Sequence, residues 1–254
     1  MKLVILAGGL GTRFSEETHS KPKPMIKIFN KPIIWYIMKH YDRYNVKNFI
    51  ICGGYKWQII KKFFISKSTK DRIIYHNKKK IGHYFYLKNL NWHIQLINTG
   101  KNTMTGGRIK QIEKYLDKDN DSFYLTYGDG ISNINITKLL KFHNKMKLLA
   151  TVSAVRPPAR FGSLVIKNNK VIEFSEKNKN FESLINGGFF VLSKKIIKYI
   201  KHNSTIFEQY PLKKLAKQKQ LASYFHKGVW FPMDTIRDKK IIQNYMKKNT
   251  YDFK

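Results

Sequence analysis

Apolar and polar positions follow two different rhythms in the first third of the chain. Leu3-Val4-Ile5-Leu6-Ala7 is a continuous apolar run, short for a helix, that ends at Gly8-Gly9-Leu10-Gly11. Such a run predicts a strand buried on both faces. From Pro32 the spacing changes. Ile33, Ile34, Ile37 and Tyr41 share one helical face and Pro32 suits a first turn, so a helix is predicted over 32–44. Phe49-Ile50-Ile51-Cys52 before Gly53-Gly54 predicts a second buried strand, and 57–64 a second helix. Strand, helix, strand, helix is the pattern of a parallel sheet with helices on its faces.

Residues 66–91 mix Lys with Tyr, Phe and His, hold no single period, and are expected to leave the sheet. Beyond them the pattern predicts strands at 92–98, 123–127, 148–155 and 188–192, and helices at 108–116 and 137–145. Alternation over 162–174 around Lys167-Asn168-Asn169-Lys170 predicts a hairpin. Further helices are expected near 194–201, 208–218 and 237–247. With no repeat and no linker-like stretch, the expectation is a single domain over 1–254. Its fold class is α/β: a Rossmann-like, mostly parallel sheet flanked by helices, with a β-rich portion added in the second half.

Composition narrows the class. At 254 residues, with 42% apolar and 14% aromatic side chains, the chain can build a large core and is not a disordered one. A lone cysteine, Cys52, excludes a disulfide scaffold and a multi-cysteine zinc site. No apolar run approaches the roughly 20 residues of a membrane helix, and the N-terminal apolar stretch is too short for a secretory signal. These features predict a soluble, cytoplasmic protein without a membrane partner. The formal charge of +33 would attract phosphates and nucleic acid. Its bases are 42 Lys and only 7 Arg, scattered along a chain also rich in Ile and Asn. That favours a solvated lysine-rich surface over a dedicated nucleic-acid surface, which would cluster its charge and use Arg forks.

The strongest local signal is the glycine run after the first strand. Glycines there allow close backbone approach and can aim N–H groups at phosphate oxygens; a strand-to-turn glycine cluster would look the same. The run ends Gly11-Thr12-Arg13, so it is not a Walker loop, and Phe14 replaces the third glycine of the dinucleotide pattern. Ten residues beyond Arg13, Lys23 sits between prolines in Lys21-Pro22-Lys23-Pro24-Met25, on a stiff extended segment.

The combination Leu-Ala-Gly-Gly-x-Gly-Thr-Arg, ten residues, then Lys-Pro-Met resembles the sugar-1-phosphate nucleotidylyltransferase family. Glu16-Glu17-Thr18, Met104-Thr105-Gly106-Gly107-Arg108, the Thr-Tyr-Gly-Asp-Gly ending of 121–130, Pro157 to Gly162, Ile185 to Leu192 and Trp230 to Thr235 resemble one branch of it. That branch joins CTP to α-D-glucose 1-phosphate. The resemblance spans nearly the whole chain, with 66–91 and the last few residues outside it.

The resemblance implies a nucleotide site of Leu6, Ala7, Gly8, Gly9, Leu10, Gly11, Thr12, Arg13, Lys23, Thr103, Arg108 and Gly128. It implies Arg13, Lys23 and Asp129 as catalytic residues and Asp129 and Asp234 as ligands of Mg²⁺. Glu176, Lys177, Asn186 and Gly187 would hold the sugar phosphate. Asn178 stands where the family usually has proline. Read alone, Asp129 between glycines could be a turn residue, Asp234 a helix cap, and Lys177 one surface lysine among many. The resemblance also implies a homo-oligomer, a hexamer. A thymidylyl- or uridylyltransferase and a basic nucleic-acid-binding protein are the alternatives.

Overall fold

The computed structural model describes residues 1–11, 14–76, 79–157, 163–167, 170–175 and 184–249. In chain order the first half runs β1 (Leu3–Ala7), α1 (Ser15–Thr18), β2 (Lys27–Ile28), β3 (Lys31–Pro32), α2 (Ile33–Asp42), β4 (Asn48–Gly53), α3 (Trp57–Ile65), β5 (Lys70–His76), β6 (Lys79–Leu87), β7 (Trp92–Asn98), α4 (Thr105–Gln111), β8 (Ser122–Tyr127) and β9 (Gly130–Ser132). The second half adds α5 (Ile136–Met146), β10 (Ala150–Val155), β11 (Ser163–Lys167), β12 (Lys170–Ser175), β13 (Ile185–Ser193), α6 (Tyr210–Lys217), β14 (Leu221–Phe225), β15 (Trp230–Pro232) and α7 (Ile236–Lys248).

Nine strands form one sheet in the order β14-β10-β13-β8-β1-β4-β7-β6-β5. β1 pairs in parallel with both β4 and β8, and β4 with β7. β13 and β6 run against their neighbours, and β10 and β14 pair in parallel at one edge. The sheet is therefore mostly parallel, as expected. The chain builds outward from β1 through β4 and β7, then crosses back to place β8 on the other side of β1. That reversal opens a crevice at the carboxyl ends of β1 and β8, where ligands of open α/β sheets bind.

Both faces of the sheet are covered, which explains the unbroken apolar run of β1. Leu3, Ile5 and Ala7 pack into one core with residues of α2, α3, α5 and α7. Val4 and Leu6 pack into the other, with Ile109 of α4 and Leu215 of α6. All five strand residues are buried. Among the described residues, no helix is long and apolar enough to cross a membrane.

Three elements depart from the sequence reading. Residues 66–91 do not leave the sheet: β5 and β6 form an antiparallel hairpin, and β6 pairs with β7 to extend it. Among the described residues the period of two shows on β6, where His83, Phe85 and Leu87 are buried. The helix expected at 108–116 begins at Thr105, includes Gly106 and Gly107, and gives way to a short 3₁₀ turn at Glu113–Tyr115. The glycines lower helix propensity but are required for close approach. A Cβ on Gly107 would sit 2.2 Å from the Asn203 carbonyl oxygen, and one on Gly106 2.7 Å from that of Thr205. The stretch near 194–201 is a 3₁₀ helix, Lys194–Tyr199. The expected hairpin is present as β11–β12. β14 gave no signal, because only Ala222 in it is buried.

Candidate active site

The crevice at the β1/β8 junction is a cleft of about 450 Å³. Leu6, Ala7, Gly8, Gly9 and Gly11 form one wall and Gly128 and Asp129 another. Lys23, Pro24, Thr103, Met104, Thr105, Arg108, Tyr127, Trp230, Pro232 and Asp234 complete the lining. Gly11 adopts φ +70°, which an L side chain would oppose. Leu10, 48% exposed, is not among the residues that line the cleft.

The loop after β1 is held from below by one guanidinium. Arg108, from α4, is only 3% exposed. Its Nη1 donates to the Gly53 carbonyl at 3.1 Å, the Thr99 hydroxyl at 2.6 Å and the Gly100 carbonyl at 2.9 Å. Its Nη2 donates to the Gly8 carbonyl at 2.9 Å. Burial lowers its pKa. Arg108 thus ties the ends of β1, β4 and β7 together with donors that are already engaged, and lends its positive charge to the cleft floor. A Cβ on Gly8 would collide with it at 2.1 Å.

Lys23 reaches the opposite wall. Pro24 occupies the first turn of the 3₁₀ segment Lys23–Met25 and leaves the Lys23 side chain 10% exposed. Its Nζ donates to Asp129 Oδ2 at 2.8 Å and to Asp234 Oδ1 at 2.6 Å. Burial works against the charged form, but the Asp129 carboxylate and then Asp234 outweigh it, so the lysine pKa is raised above 10.5.

These two aspartates are 105 positions apart, and the pairing of β15 with β9 brings them together. Pro232 sits opposite Gly130, and the Met233 N–H donates to the Asp129 carbonyl at 2.9 Å. Asp234 is not the cap of the last helix. Thr235 is, in a reciprocal box with Asp238, so the Asp234 side chain faces Lys23.

Two carboxylates that can meet on one cation are hard oxygen donors, the set that a divalent ion such as Mg²⁺ takes together with phosphate oxygens. Among the described residues no group of three or more His, Cys, Asp or Glu could hold a metal. Oxygens of a bound substrate would therefore have to complete the shell. The residues fit the ion on that condition.

A glycine-walled cleft at the sheet's topological switch, one buried ammonium and a carboxylate pair can bind a polyphosphate with a hard cation and catalyse transfer at phosphorus. Residues 2–238 match the model of the nucleotidyl transferase family. The chain belongs to that family.

This nucleotidyltransferase is 43% identical over 255 residues to the glucose-1-phosphate cytidylyltransferase of Salmonella typhimurium, covering 100% of the chain and 99% of that protein. It is 41% identical to a probable glucose-1-phosphate cytidylyltransferase of Bacillus subtilis over 94% of the chain and 93% of that relative. HddC from Yersinia pseudotuberculosis superposes with a TM-score of 0.70 at 26% identity, over 96% of the chain and 99% of that structure. A UDP-glucose pyrophosphorylase superposes equally well at 18% identity, over 98% of both chains, and shares the fold.

The nucleotidyltransferase brings together Leu6 to Gly9, Gly11, Lys23, Thr103, Arg108, Gly128, Asp129 and Asp234 in one cleft. Asn186 and Gly187, on β13, adjoin it: the Asn186 amide donates to the Tyr127 hydroxyl at 3.2 Å, and the Trp230 indole N–H donates to the Gly187 carbonyl at 2.7 Å. Thr12, Arg13, Glu176 and Lys177 lie outside the described residues. Tyr127, Trp230 and Thr105 line the cleft and were not singled out as site residues. Tyr127 lies one residue before the Gly128-Asp129 pair, the only signal that could have flagged it. Cys52 is fully buried beneath the site, and burial pushes its thiol up to about 12, which leaves it unreactive at neutral pH.

Proposed function

We propose that this chain transfers the cytidylyl group of CTP to α-D-glucose 1-phosphate, giving CDP-glucose and pyrophosphate. The observation that carries the reading is end-to-end identity of 43% with the Salmonella enzyme of that name. The cleft chemistry agrees with it. A phosphate oxygen of the sugar phosphate attacks the α-phosphorus of CTP, a new P–O bond forms, and the bond to the bridging oxygen of the β-phosphate breaks. That oxygen leaves with the electron pair, as pyrophosphate. The nucleophile is already ionised at neutral pH, so neither a protein base nor a covalent enzyme intermediate is needed. Catalysis is positioning plus charge stabilisation.

In this reading the glycine loop from Leu6 to Gly11 cradles the nucleotide with backbone N–H groups, and Arg108 holds that loop in shape. Lys23, with Thr12 and Arg13 by family resemblance, meets the phosphates. Asp129 and Asp234 would hold Mg²⁺, which when bound neutralises phosphate oxygens and polarises the α-phosphorus. Lys23 keeps the two carboxylates from repelling one another. Lys177 and Glu176 would hold the sugar phosphate, with Asn186 and Gly187 along the sugar. The working assembly is a homo-oligomer, a hexamer, which light scattering would measure directly.

The test is product analysis. CTP, glucose 1-phosphate and Mg²⁺ incubated with the protein should yield stoichiometric CDP-glucose and pyrophosphate by ion-exchange chromatography. CTP consumption without a sugar nucleotide would refute the reading.

A further inference from the structure

One acidic group beside the cleft is not used by the reaction above. Glu208 lies half-buried just before α6, behind the wall formed by Tyr127 and Thr105. The chain has 49 Lys and Arg, yet among the described residues none forms an ion pair with it. Two hydroxyls hold it instead. Tyr127 donates its phenolic proton to Glu208 Oε1 at 2.6 Å, and Thr105 donates to Oε2 at 2.6 Å. Thr105 is fixed in turn by the Phe207 N–H, which donates to its oxygen at 2.9 Å. Both hydroxyl residues line the cleft.

The hydrogen bonds have a direction. A carboxylate oxygen has no proton to give, so in the 2.6 Å contact the Tyr127 phenol is the donor and Glu208 Oε1 the acceptor. The phenolic oxygen is then only an acceptor, and the Asn186 side-chain N–H donates to it at 3.2 Å. At the other end of the same amide, Asn186 Oδ1 accepts from the Gly188 N–H at 2.8 Å. A flipped amide would set an N–H against the Gly188 N–H and an oxygen against a phenol with no proton to give. The amide therefore has one orientation, and among the described residues one of its N–H groups and one oxygen lone pair are unspent. Gly188 permits the arrangement: it sits at φ +78°, and a Cβ there would press on the Tyr127 ring at 2.6 Å.

We propose that Glu208 is a positioning residue for the sugar half of the site, acting through the Tyr127 hydroxyl to fix the Asn186 amide so that it meets sugar hydroxyls in a single orientation. The inference rests on the reading of Asn186 as a sugar contact under the proposed function. It adds a role for two residues, Glu208 and Tyr127, that select the sugar phosphate without touching the reacting phosphorus.

The experiment separates the Michaelis constants of the two substrates. Tyr127→Phe keeps the ring and removes the relay hydroxyl; Glu208→Gln keeps the shape and removes the charge. Each should raise KM for glucose 1-phosphate about 3–10-fold, as expected for a lost or misdirected hydrogen bond, and leave KM for CTP within about twofold. The double variant Tyr127→Phe/Asn186→Ala should be no worse than Asn186→Ala alone, because the two act as one unit. Three results would overturn the proposal: equal rises in both constants, an unchanged sugar-phosphate KM in Tyr127→Phe that melts like the wild type, or additive losses in the double variant. If Glu208→Gln fails to fold, Tyr127→Phe alone decides. A wild-type panel of hexose 1-phosphates is run first. Preference for another sugar phosphate would refute the proposed function, and the same KM comparison with that substrate would still decide the role of Glu208.

Discussion

Replacing Lys23 with alanine removes the cation on which Asp129 and Asp234 converge. In a fully dry interior, removing one partner of such an ion pair would cost about 3–5 kcal/mol. Here the Asp129 side chain is 38% exposed and that of Asp234 21%. Solvent screens part of the repulsion, and the loss should be about 1–2 kcal/mol. For a chain of this size that lowers Tm by roughly 2–8 °C. Millimolar Mg²⁺ should raise the melting temperature of the variant more than that of the wild type, because the ion binds two bare carboxylates without displacing an ammonium. Turnover should fall roughly 10²–10³-fold, the scale of losing one preorganised donor to developing charge. The Lys23 pKa is raised above 10.5. Its stabilising contribution is therefore complete at neutral pH and is lost only as pH climbs from about 10.5 through the raised folded-state value. The assay is thermal unfolding with and without Mg²⁺, alongside pyrophosphate release, with Lys248→Ala as an exposed control. If Lys23→Ala melts, responds to Mg²⁺ and turns over like Lys248→Ala, the reasoning about this cluster is wrong.

Other expectations follow from the same geometry. Arg108→Lys cannot reproduce a fork that serves the Gly8, Gly53, Gly100 and Lys101 carbonyls and the Thr99 hydroxyl, so it should lose roughly 1–3 kcal/mol of stability in denaturant titration and raise KM for CTP. Gly107→Ala would drive a Cβ to 2.2 Å from the Asn203 backbone and should destabilise by about 1–3 kcal/mol, measured by chemical unfolding, with activity lost alongside. Asp234→Asn should abolish most turnover with little change in Tm, because Thr235 and Asp238 cap α7 without it; a large drop in Tm would show that the aspartate serves the fold. His143 is buried against the Thr151 hydroxyl at 2.9 Å, and burial lowers its pKa below 6.5. Stability should be full above pH 6.5 and decline as pH falls below it, where the unfolded chain takes up the proton first. His143→Gln should flatten that decline in a pH series of melts.

The parts of the site legible in the sequence are those whose chemistry is carried by adjacent residues. The glycines after β1 and the proline-flanked Lys23 stand out because each is a constraint on its own stretch of backbone. The convergence of Asp129 and Asp234 depends on pairing β15 with β9, a contact across about a hundred residues that no local period encodes. The link between Tyr127 and Glu208 spans 81 positions and was invisible for the same reason. Arg108 could be assigned to the nucleotide region by resemblance, but its bonds to Gly8, Gly53 and Gly100 required the ends of three strands to be aligned first. The fold class followed from the alternation of buried runs and amphipathic helices. The β5–β6 hairpin was obscured because an edge hairpin can carry many lysines and so shows no continuous apolar run.

The choice of nucleotide decides the assignment, and a panel of nucleotides assayed one at a time measures it. With Mg²⁺ and glucose 1-phosphate at fixed concentration, pyrophosphate release is measured with CTP, dTTP, UTP, ATP and GTP in turn. The kcat/KM for CTP should lie at least about tenfold above that of every other nucleotide, a difference of about 1.4 kcal/mol in transition-state binding. Preference for dTTP, UTP or GTP would contradict it.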